Sequence, residues 1–389
     1  MKCDLTAPSR SEWTLTLQSA GTYQPSGILK RKRMAIQRQP TLRGSIASVL
    51  VVIPCLNEEE HLEAVITKLL ADADRVNLRL IVADGGSTDD SRAIVQCFME
   101  RDRRVMLMDN PKRIQSAGVN RAVERYGSES DFLIRADAHA HYPNRFCDRL
   151  LNVQARTRAD SIVVSMHTVG QNCFQRAAAA AQNSILGNGG ASHRNVAREG
   201  WVNHGHHALM TIQAFKTVGG YDDSFSHVED VELDIRLRAA GFAIFLTGEV
   251  DLTYYPRRTI AALFRQYRNV GRGRARNFLK HRKDTKVRHL ILAGVAPAVS
   301  LLLLAPFSFV FAVPALTWAL LCLGYGLLLG VRLRDLCSAA AGVAAIAMQA
   351  GWSFGFFEEL KARLSRTGGA RPMNATTTHK TPTQDRIAR

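Results

Sequence analysis

A run of 42 residues without a charged side chain, 290–331, constrains this chain more than any other feature. A helix that crosses the hydrocarbon core of a bilayer needs about 20 apolar residues, so the run is long enough for two such helices. Core helices of soluble proteins rarely continue uncharged for this length, which makes a buried bundle the weaker interpretation. A further apolar stretch, 336–357, fits either a third span or a re-entrant element. We therefore expect an α-helical membrane anchor of two or three transmembrane helices at 289–357.

The positive charge of the chain is concentrated outside its largest folded domain. The 389 residues have a net charge of +17, yet residues 49–256 carry −5, and the block at 257–288 alone carries +11. A nucleic-acid-binding protein would carry a basic face on its folded domain, so we expect no nucleic-acid partner. Because the basic block directly precedes the apolar run, the positive-inside tendency predicts that this block and the domain before it are cytoplasmic.

The two ends of the chain have the composition of disordered segments. We expect a disordered basic leader at 1–45 and a disordered tail at 358–389. The leader contains the cluster Lys-Arg-Lys-Arg at 30–33, next to Met34, which is an alternative start. The seven cysteines are odd in number and form no CxxC pair. We therefore expect reduced thiols facing the cytosol.

Residues 46–256 show strands alternating with helices. Short apolar runs at 48–53, 78–83, 105–108 and 131–135 have the length of strands, and amphipathic stretches of helical period separate them. This order predicts an α/β domain built from βαβ units, with a mainly parallel sheet flanked by helices. Asn57 is in position to cap the first helix.

Three polar clusters follow the first, second and fourth of these strands. They contain Asn57 with Glu58, then Asp84, then Asp137 with His139. Ligands of parallel α/β sheets bind at the carboxyl ends of strands, so we expect these side chains at one edge. Asp84 alone also fits a turn-forming role. Neither a GxGxxG nor a GxxxxGK[ST] loop is present, so a nucleotide here would be held by carboxylates and a metal ion.

Four strings in the α/β domain resemble motifs of the family 2 glycosyltransferases, whose fold is GT-A. They are VVIPCLNEEEHL, LIVADGGSTDDS, FLIRADAHAHY and VGGYDDSFSHVEDVELDIRLRAAGF. The segments NPKRIQSAGVNRA, NHGHHALM and YYPRRTIAALFRQYRNVGRGRARN are similar to the succinoglycan-biosynthesis glucosyltransferase subgroup. The resemblance implies a GT-A nucleotide-sugar-binding domain at 46–256, followed by basic juxtamembrane helices at 257–288.

The resemblance also implies roles on the donor side of the site. Pro54, Asn57 and Glu58 match the first nucleotide-binding motif of the family, and Asp84 matches the carboxylate that contacts the uracil and ribose. Asp137 matches the first aspartate of the DxD motif, which binds the donor and its metal ion. A UDP-sugar is therefore the expected donor.

The metal site and the catalytic base follow from the same resemblance. His139 replaces the second aspartate of the DxD motif beside Asp137. Histidine can bind Mn²⁺ whereas Mg²⁺ prefers oxygen, so the implied divalent metal is Mn²⁺ or Mg²⁺. Asp230 matches the proposed catalytic base. An inverting transferase needs only this one base, whereas a glycosidase would need two carboxylates across the scissile bond.

Several residues are candidates for contact with the acceptor or a diphosphate. Arginines of the basic block are either cations at a lipid interface or phosphate ligands. The histidines in NHGHHALM form a metal cluster, an acceptor loop or a structural turn. The candidates are Glu229, His206, His207, Arg268, Arg272 and Arg274. The string QYRNV at 266–270 departs from the Q-x-x-R-W motif of processive synthases, which favours addition of a single sugar over polymerisation.

Together these patterns predict an inverting hexosyltransferase anchored in the bacterial inner membrane, with a cytoplasmic catalytic domain. It would move a sugar, glucose by resemblance, from a UDP-sugar to a polyprenyl-diphosphate-linked oligosaccharide in exopolysaccharide synthesis, alongside other assembly enzymes. One alternative is transfer of a single sugar to a simple lipid or polyprenyl phosphate. Another is a non-catalytic nucleotide-sugar-binding subunit of an export assembly.

Overall fold

A mixed β-sheet is the centre of the computed structural model, which describes residues 47–71, 76–188, 199–282 and 287–368. In this part of the chain the strand order is β3-β2-β1-β4-β7-β5-β8-β6. The strands are β1 Ser48–Cys55, β2 Asn77–Asp84, β3 Val105–Asp109, β4 Phe132–Arg135, β5 Ser161–Thr168, β6 Gly200–Trp201, β7 His206–Thr211 and β8 Ile244–Tyr254.

The first four strands are parallel and confirm the predicted βαβ order. β1 pairs with β2 on one side and β4 on the other, and β2 pairs with β3. Val51 and Ile53 enter one hydrophobic core, while Leu50 and Val52 enter the core on the opposite face. Burial on both faces explains why this strand is a continuous apolar run. The second half is mixed, because β7 is antiparallel to both β4 and β5, whereas β5 and β8 are parallel.

Helices cover both faces of the sheet and continue beyond it. They are α1 Glu59–Leu70, α2 Ser91–Arg101, α3 Gln115–Tyr126, α4 Phe146–Thr157, α5 Cys173–Asn183, α6 Ile185–Asn188, α7 Ile212–Thr217, α8 Glu229–Ala239, α9 Ile260–Lys280, α10 Val287–Ala293, α11 Val295–Ser300, α12 Val313–Leu333, α13 Leu336–Ala339 and α14 Ala341–Gly368. The expected cap by Asn57 is wrong, because α1 begins after Glu58 without a side-chain cap and the Asn57 side chain bonds to Thr88 instead.

The sheet register brings three strand ends to one edge. Cys55 at the end of β1 is opposite Asp84 at the end of β2, and Val52 is opposite Arg135 at the end of β4. The loops that follow these strands therefore begin side by side, as expected for a ligand site in a parallel sheet.

Two apolar segments of the described chain are long enough to cross a bilayer. They are Val287–Leu304, which contains α10 and α11, and Phe309–Leu333, which contains α12. Large apolar side chains on both are exposed, among them Leu303 and Leu320. Such exposure is unfavourable in water and suits a lipid environment. These segments are the candidate membrane anchors.

The third apolar stretch begins α14, which packs closely against α9. A Cβ atom added to Gly355 would lie 2.0 Å from the carbonyl oxygen of Arg268, and one added to Gly351 would lie 2.6 Å from that of Phe264. Glycines four residues apart allow two helix backbones to approach in this way. Within the residues described, the candidate spans are therefore two, and the third stretch is a packing partner of α9.

The described helix extends into the segment predicted to be a disordered tail. Residues 358–368 continue α14, so the expected boundary at 358 is wrong. Glu358 and Glu359 form ion pairs with arginines of α9, which stabilises this charged extension of the helix. The predicted leader at 1–45 and the tail after 368 lie outside the described residues.

A disulfide attaches the α/β domain to the helices after the second apolar segment. Cys173 at the start of α5 is bonded to Cys337 in α13. The expectation that all cysteines are reduced is wrong for this pair, whose members are 164 residues apart and show no motif spacing. Arg176 and Asp335 form an ion pair between the same two elements.

Candidate active site

The loops after β1 and β2 are held together at the carboxyl edge of the sheet. The backbone N–H of Asn57 donates to Ser87 Oγ at 2.9 Å, and Asn57 Oδ1 accepts from the backbone N–H of Thr88 at 2.8 Å. The backbone N–H of Glu58 donates to Ser91 Oγ at 2.9 Å. Asn57 has a φ of 56°, a conformation that asparagine tolerates better than most residues. The residues predicted to bind the donor after these strands are therefore neighbours.

Asp84 ends β2 with its carboxylate buried and hydrogen-bonded. It accepts from the backbone N–H of Gly86 at 3.1 Å, the hydroxyl of Ser87 at 2.5 Å and Nη1 of Arg92 at 2.6 Å. Burial opposes ionisation, but the hydrogen bonds from Ser87 and Arg92 outweigh it and lower the pKa of Asp84. Asp84 thus fixes the loop at the predicted nucleoside position, and its contact with uracil stays a prediction.

A buried arginine at the centre of the site was missed by the sequence analysis. Arg135 ends β4 with its side chain 3% exposed, and its Nη1 lies 2.6 Å from Asp230 Oδ1. Its Nη2 lies 3.7 Å from Asp137 Oδ1. Burial opposes ionisation of both aspartates, but the charge of Arg135 outweighs it and holds their pKa values well below the usual range. Both carboxylates are therefore ionised at neutral pH.

Asp230, the predicted base, lies in the first turn of α8 with one oxygen engaged. Its Oδ1 is 2.6 Å from Arg135 Nη1, 3.2 Å from His207 Nδ1 and 3.4 Å from the Tyr221 hydroxyl. Among the described residues, the charged or polar side-chain atom found near Oδ2 is His206 Nδ1, at 3.8 Å. The side chain is 16% exposed. Oδ2 is therefore the less engaged of the two carboxylate oxygens, and the role of Asp230 as base stays a prediction.

A buried histidine–aspartate pair supports Asp230 from below the surface. His207 Nδ1 is 2.9 Å from the Tyr221 hydroxyl and its Nε2 is 2.8 Å from Asp234 Oδ1. Asp234 Oδ2 is also 2.8 Å from His204 Nδ1. Burial disfavours protonated His207, but Tyr221 and Asp234 outweigh it and raise its pKa well above the ordinary value. His207, which is fully buried, thus contacts Asp230 from the interior of the domain.

Glu229 and Asp230 have different electrostatic surroundings at the start of α8. Burial and the charge of Asp230 raise the pKa of Glu229. Two adjacent carboxyls whose pKa values are moved apart are suited to different roles. The helix begins after Val228, which has a φ of 68°, a strained conformation for a β-branched residue. α9 packs on this turn so closely that a Cβ atom on Gly273 would lie 2.5 Å from the His227 carbonyl oxygen.

The predicted metal ligands follow β4 but have different partners. Asp137 Oδ2 lies 3.4 Å from His206 Nε2, whereas His139 Nδ1 lies 2.9 Å from Glu58 Oε1. The hydrogen bond to Glu58 raises the pKa of His139. No group of three potential ligands is arranged around a metal position in the part of the chain described. One carboxylate and one imidazole fit a divalent ion that completes its coordination with substrate phosphate oxygens and water.

The other candidate residues have different surroundings. Arg268 and Arg272 both form ion pairs with Glu358 of α14. Arg274 lines a cavity between α9, α10 and α14. Pro54 lies within β1 just before the first loop. Of the candidate acceptor residues, the structure brings Glu229, His206 and His207 together around Asp230.

The fold is shared with a solved glycosyltransferase. The mannosyltransferase PcManGT from Pyrobaculum calidifontis, solved in complex with GDP-Man and Mn²⁺, matches with a TM-score of 0.52 at 17% identity, over 82% of this chain and 89% of that one. This likeness defines the class of the fold as GT-A.

Sequence comparison identifies the family within that class. Residues 50–219 match the family model described as Glycosyl transferase family 2. The succinoglycan biosynthesis protein ExoA of Rhizobium meliloti (strain 1021) is 52% identical over 313 residues, which are 80% of this chain and 95% of that protein. The chain belongs to glycosyl transferase family 2. The prediction of an enzyme is thereby confirmed over that of a non-catalytic subunit.

A more distant relative is also a glycosyltransferase. The dolichyl N-acetyl-alpha-D-glucosaminyl phosphate 3-beta-D-2,3-diacetamido-2,3-dideoxy-beta-D-glucuronosyltransferase of Methanococcus voltae is 22% identical over 239 residues. The match covers 57% of this chain and 71% of that protein.

Proposed function

We propose that this protein is an inverting glycosyltransferase that moves glucose from UDP-glucose to a polyprenyl-diphosphate-linked oligosaccharide during bacterial exopolysaccharide synthesis. The observation that carries the proposal is that Asp230 and Asp137 share two neighbours, Arg135 and His206, at the carboxyl edge of the sheet. The 52% identity to a succinoglycan biosynthesis protein supports a role in polysaccharide assembly, with other assembly enzymes as partners.

The membrane location is part of the same proposal. The apolar segments Val287–Leu304 and Phe309–Leu333 would anchor the chain in the bacterial inner membrane. The +11 block at 257–288 lies directly before the first segment, which supports a cytoplasmic catalytic domain. A lipid-linked acceptor would then be presented to the enzyme at the membrane surface where the catalytic domain lies.

The proposed chemistry uses one base and no covalent intermediate. The acceptor hydroxyl attacks the anomeric carbon as the bond to the diphosphate breaks, and its proton passes to Asp230 Oδ2. Arg135 and His207 hold Oδ1, so the carboxylate stays ionised and fixed in orientation. Attack on the face opposite the leaving diphosphate inverts the anomeric configuration. The neighbouring Glu229, with its raised pKa, is suited to hydrogen-bond the acceptor.

Asp137 and His139 are the residues that would hold a divalent metal ion. When bound, the ion would neutralise charge on the departing diphosphate. The Mn²⁺ in the PcManGT complex supports a metal of this kind. Arg135, which lies 3.7 Å from Asp137, fixes the carboxylate in its ionised form.

A donor and acceptor screen tests the proposed function. Purified full-length chain in detergent would be supplied with UDP-glucose, UDP-galactose or UDP-N-acetylglucosamine and with lipid-linked oligosaccharides from bacterial membranes. We expect UDP release that depends on both UDP-glucose and the lipid-linked acceptor, and a β-linked product by NMR. Release with another donor only, or an α-linked product, would contradict the assignment of glucose or of inversion.

Substitution of His139 with aspartate is expected to change the metal preference. An oxygen ligand in place of imidazole suits Mg²⁺ better, so we expect the ratio of Mn²⁺- to Mg²⁺-supported activity to fall roughly tenfold. The measurement is initial rate against the concentration of each metal. His141→Asp is the matched control, since this exposed histidine is two residues away and pairs with Thr253 instead. An equal change in both variants would contradict a metal-binding role for His139.

A second acceptor has one specific observation in its favour. The Methanococcus voltae relative is named for a dolichyl phosphate that carries one sugar. Transfer to a simple polyprenyl phosphate or to a monosaccharide on it is therefore the second candidate. In the screen, activity on polyprenyl phosphate that exceeds activity on the diphosphate-linked oligosaccharide would select this function.

A further inference from the structure

A cavity of about 490 Å³ lies between the catalytic domain and the first apolar segment. Its walls come from α9, α10, α14 and the region of α6, and its volume is in the range of small-molecule sites. His204, in the loop before β7, and Ile291 and Leu292 of α10 are among its lining residues. The cavity therefore connects the surroundings of the active site with the candidate membrane anchor.

The charged side chains that line this cavity are all cations. They are Arg274 of α9 and Arg288 of α10, and none of the described lining residues is aspartate or glutamate. His204 and His289 also line the cavity, and burial lowers the pKa of His204. Arginine binds phosphate through paired, charge-assisted hydrogen bonds. The composition of the wall thus favours an anion, and two guanidinium groups favour a phosphate or diphosphate.

The position of Arg274 distinguishes it from the other arginines of α9. Arg268, Arg272 and Arg276 are four residues apart, so they share one face, and each forms an ion pair with Glu358 or Glu359 of α14. Arg274 lies about half a turn away from Arg272, on the side that faces the cavity. α9 therefore carries Arg268, Arg272 and Arg276 towards α14 and Arg274 towards the cavity.

Part of the remaining wall is apolar and lies beside the first candidate membrane span, whereas Gln182, Gln266 and Gln349 add polar groups elsewhere. Ile291, Leu292, Met348 and Trp352 line the apolar part. Ile291 is 70% exposed in Val287–Leu304, the first candidate span. A ligand that fills the cavity would thus need an anionic head beside the arginines and an apolar tail that leaves along α10.

A hydrogen-bonded path leads from the cavity to the base. His204 in the wall bonds to Asp234, which bonds to His207, which contacts Asp230. The cationic end of the cavity is therefore close behind the start of α8. The two residues in the middle of this path, Asp234 and His207, are fully buried, so it connects the cavity to Asp230 through hydrogen bonds and is not a channel for the sugar.

We propose that this cavity binds the diphosphate and the first isoprene units of a polyprenyl diphosphate, the anchor of the acceptor. The proposal rests on the proposed function, since it names the acceptor's binding site. Arg274 and Arg288 contact the diphosphate, and Ile291, Leu292 and Trp352 contact the isoprenoid chain.

Binding of undecaprenyl diphosphate to the full-length chain in phosphatidylcholine nanodiscs tests the proposal without any donor. We expect Arg274→Gln combined with Arg288→Gln to weaken binding by about 10- to 100-fold, because each loses charged hydrogen bonds to phosphate. Arg265→Gln is the matched control, since Arg265 is an exposed residue of the same helix outside the cavity. Equal binding by wild type, double variant and control would overturn the proposal.

Further measurements show which part of the ligand is recognised and whether each variant is folded. Undecaprenol, which lacks the diphosphate, should bind at least tenfold more weakly than undecaprenyl diphosphate, and inorganic pyrophosphate should compete poorly. Competition by pyrophosphate as strong as that by the lipid would overturn the lipid assignment. The Arg274→Lys and Arg288→Lys pair keeps both charges and should recover part of the affinity. UDP binding by calorimetry reports whether each variant is folded.

These outcomes are distinguishable from failure of the proposed function. If wild type binds the lipid diphosphate but transfers no sugar to lipid-linked acceptors, the proposed function fails and the cavity assignment stands. If transfer occurs and the Gln pair changes neither lipid binding nor the KM for the acceptor, the cavity assignment fails and the function stands. A photoreactive isoprenoid diphosphate should label peptides that contain residues 288–292 or 348–352, and labelling elsewhere would overturn the assignment.

Discussion

Replacement of Asp230 with asparagine is expected to lower kcat by about 10²–10⁴-fold, the range typical for loss of a general base. The amide has no basic oxygen in place of Oδ2, so the acceptor hydroxyl must attack while it still holds its proton. Donor binding is expected to persist, because the donor-side residues Asn57, Asp84 and Asp137 are unchanged. The measurements are initial rates of sugar transfer and calorimetric titration with UDP.

The pH dependence of the wild-type enzyme gives an independent check on the base. The charges of Arg135 and His207 overcome the effect of burial and hold the pKa of Asp230 well below its usual range. We therefore expect the acidic limb of kcat/KM to begin below about pH 4, the ordinary value for aspartate. Glu229, whose pKa is raised, would instead produce a limb at higher pH. A limb above pH 5 would thus identify Glu229 as the base.

Glu229→Gln is the comparison that separates the two adjacent carboxyls. We expect this variant to raise the KM for the acceptor while it keeps more activity than Asp230→Asn. The reverse order of activities would move the role of base to Glu229. Loss of UDP binding in Asp230→Asn would instead assign Asp230 a structural or nucleotide-binding role, since Asp230 is one of the two main carboxylates that balance Arg135.

The fold of the first half could be predicted because its strands are buried on both faces. β1 and β2 are continuous apolar runs of strand length, and each ends in a polar loop that sequence alone assigns to the ligand edge. The second half is harder, since β7 reverses direction between β4 and β5 without a distinctive signal. The disulfide between Cys173 and Cys337 could not be predicted from the sequence either, because it depends on how α5 and α13 pack.

The site residues that lie within short sequence motifs could be predicted. Those whose importance depends on contacts between distant elements were missed. Asp137 and Asp230 are recognisable from their strings, whereas Arg135 is a charged residue at the end of a strand and resembles an ordinary surface arginine. Asp234 carried a usable signal, because it lies four residues after Asp230 and so on the same face of a helix. Its contact with His207 depends on β7 and could be found only in the folded chain.

Removal of the charge of Arg135 is expected to destabilise the protein by about 3–5 kcal/mol, the usual cost when one member of a buried ion pair is lost. Arg135→Met leaves Asp137 and Asp230 buried together without the cation that keeps them ionised. Transfer activity should fall with stability, because the base loses both its charge state and its orientation. The measurement is chemical or thermal unfolding of the purified chain in detergent.

The sign of the pH dependence follows from the carboxylates that Arg135 stabilises. In wild type, their lowered pKa values contribute stability at pH values above the unfolded-state pKa, about 4, and this contribution is lost as the pH falls further. In Arg135→Met, the positive charge that opposes the effect of burial is gone, so the carboxyl groups of Asp137 and Asp230 ionise less readily. The difference in unfolding free energy between wild type and variant should therefore be largest near pH 7 and should shrink as the pH approaches 4.

Two matched variants separate the charge of Arg135 from its packing. Arg135→Lys keeps the cation and should retain much of the stability but less activity, since an ammonium cannot reproduce the planar fork that contacts Asp230. Arg156→Met removes an exposed arginine from ion pairs with Glu199 and Glu249 and should change stability by at most about 1 kcal/mol. A stability loss in Arg135→Met that stays constant between pH 7 and pH 4 would show that packing, and not its charge, is the contribution of Arg135. The site would then depend for its ionised carboxylates on His206 and His207.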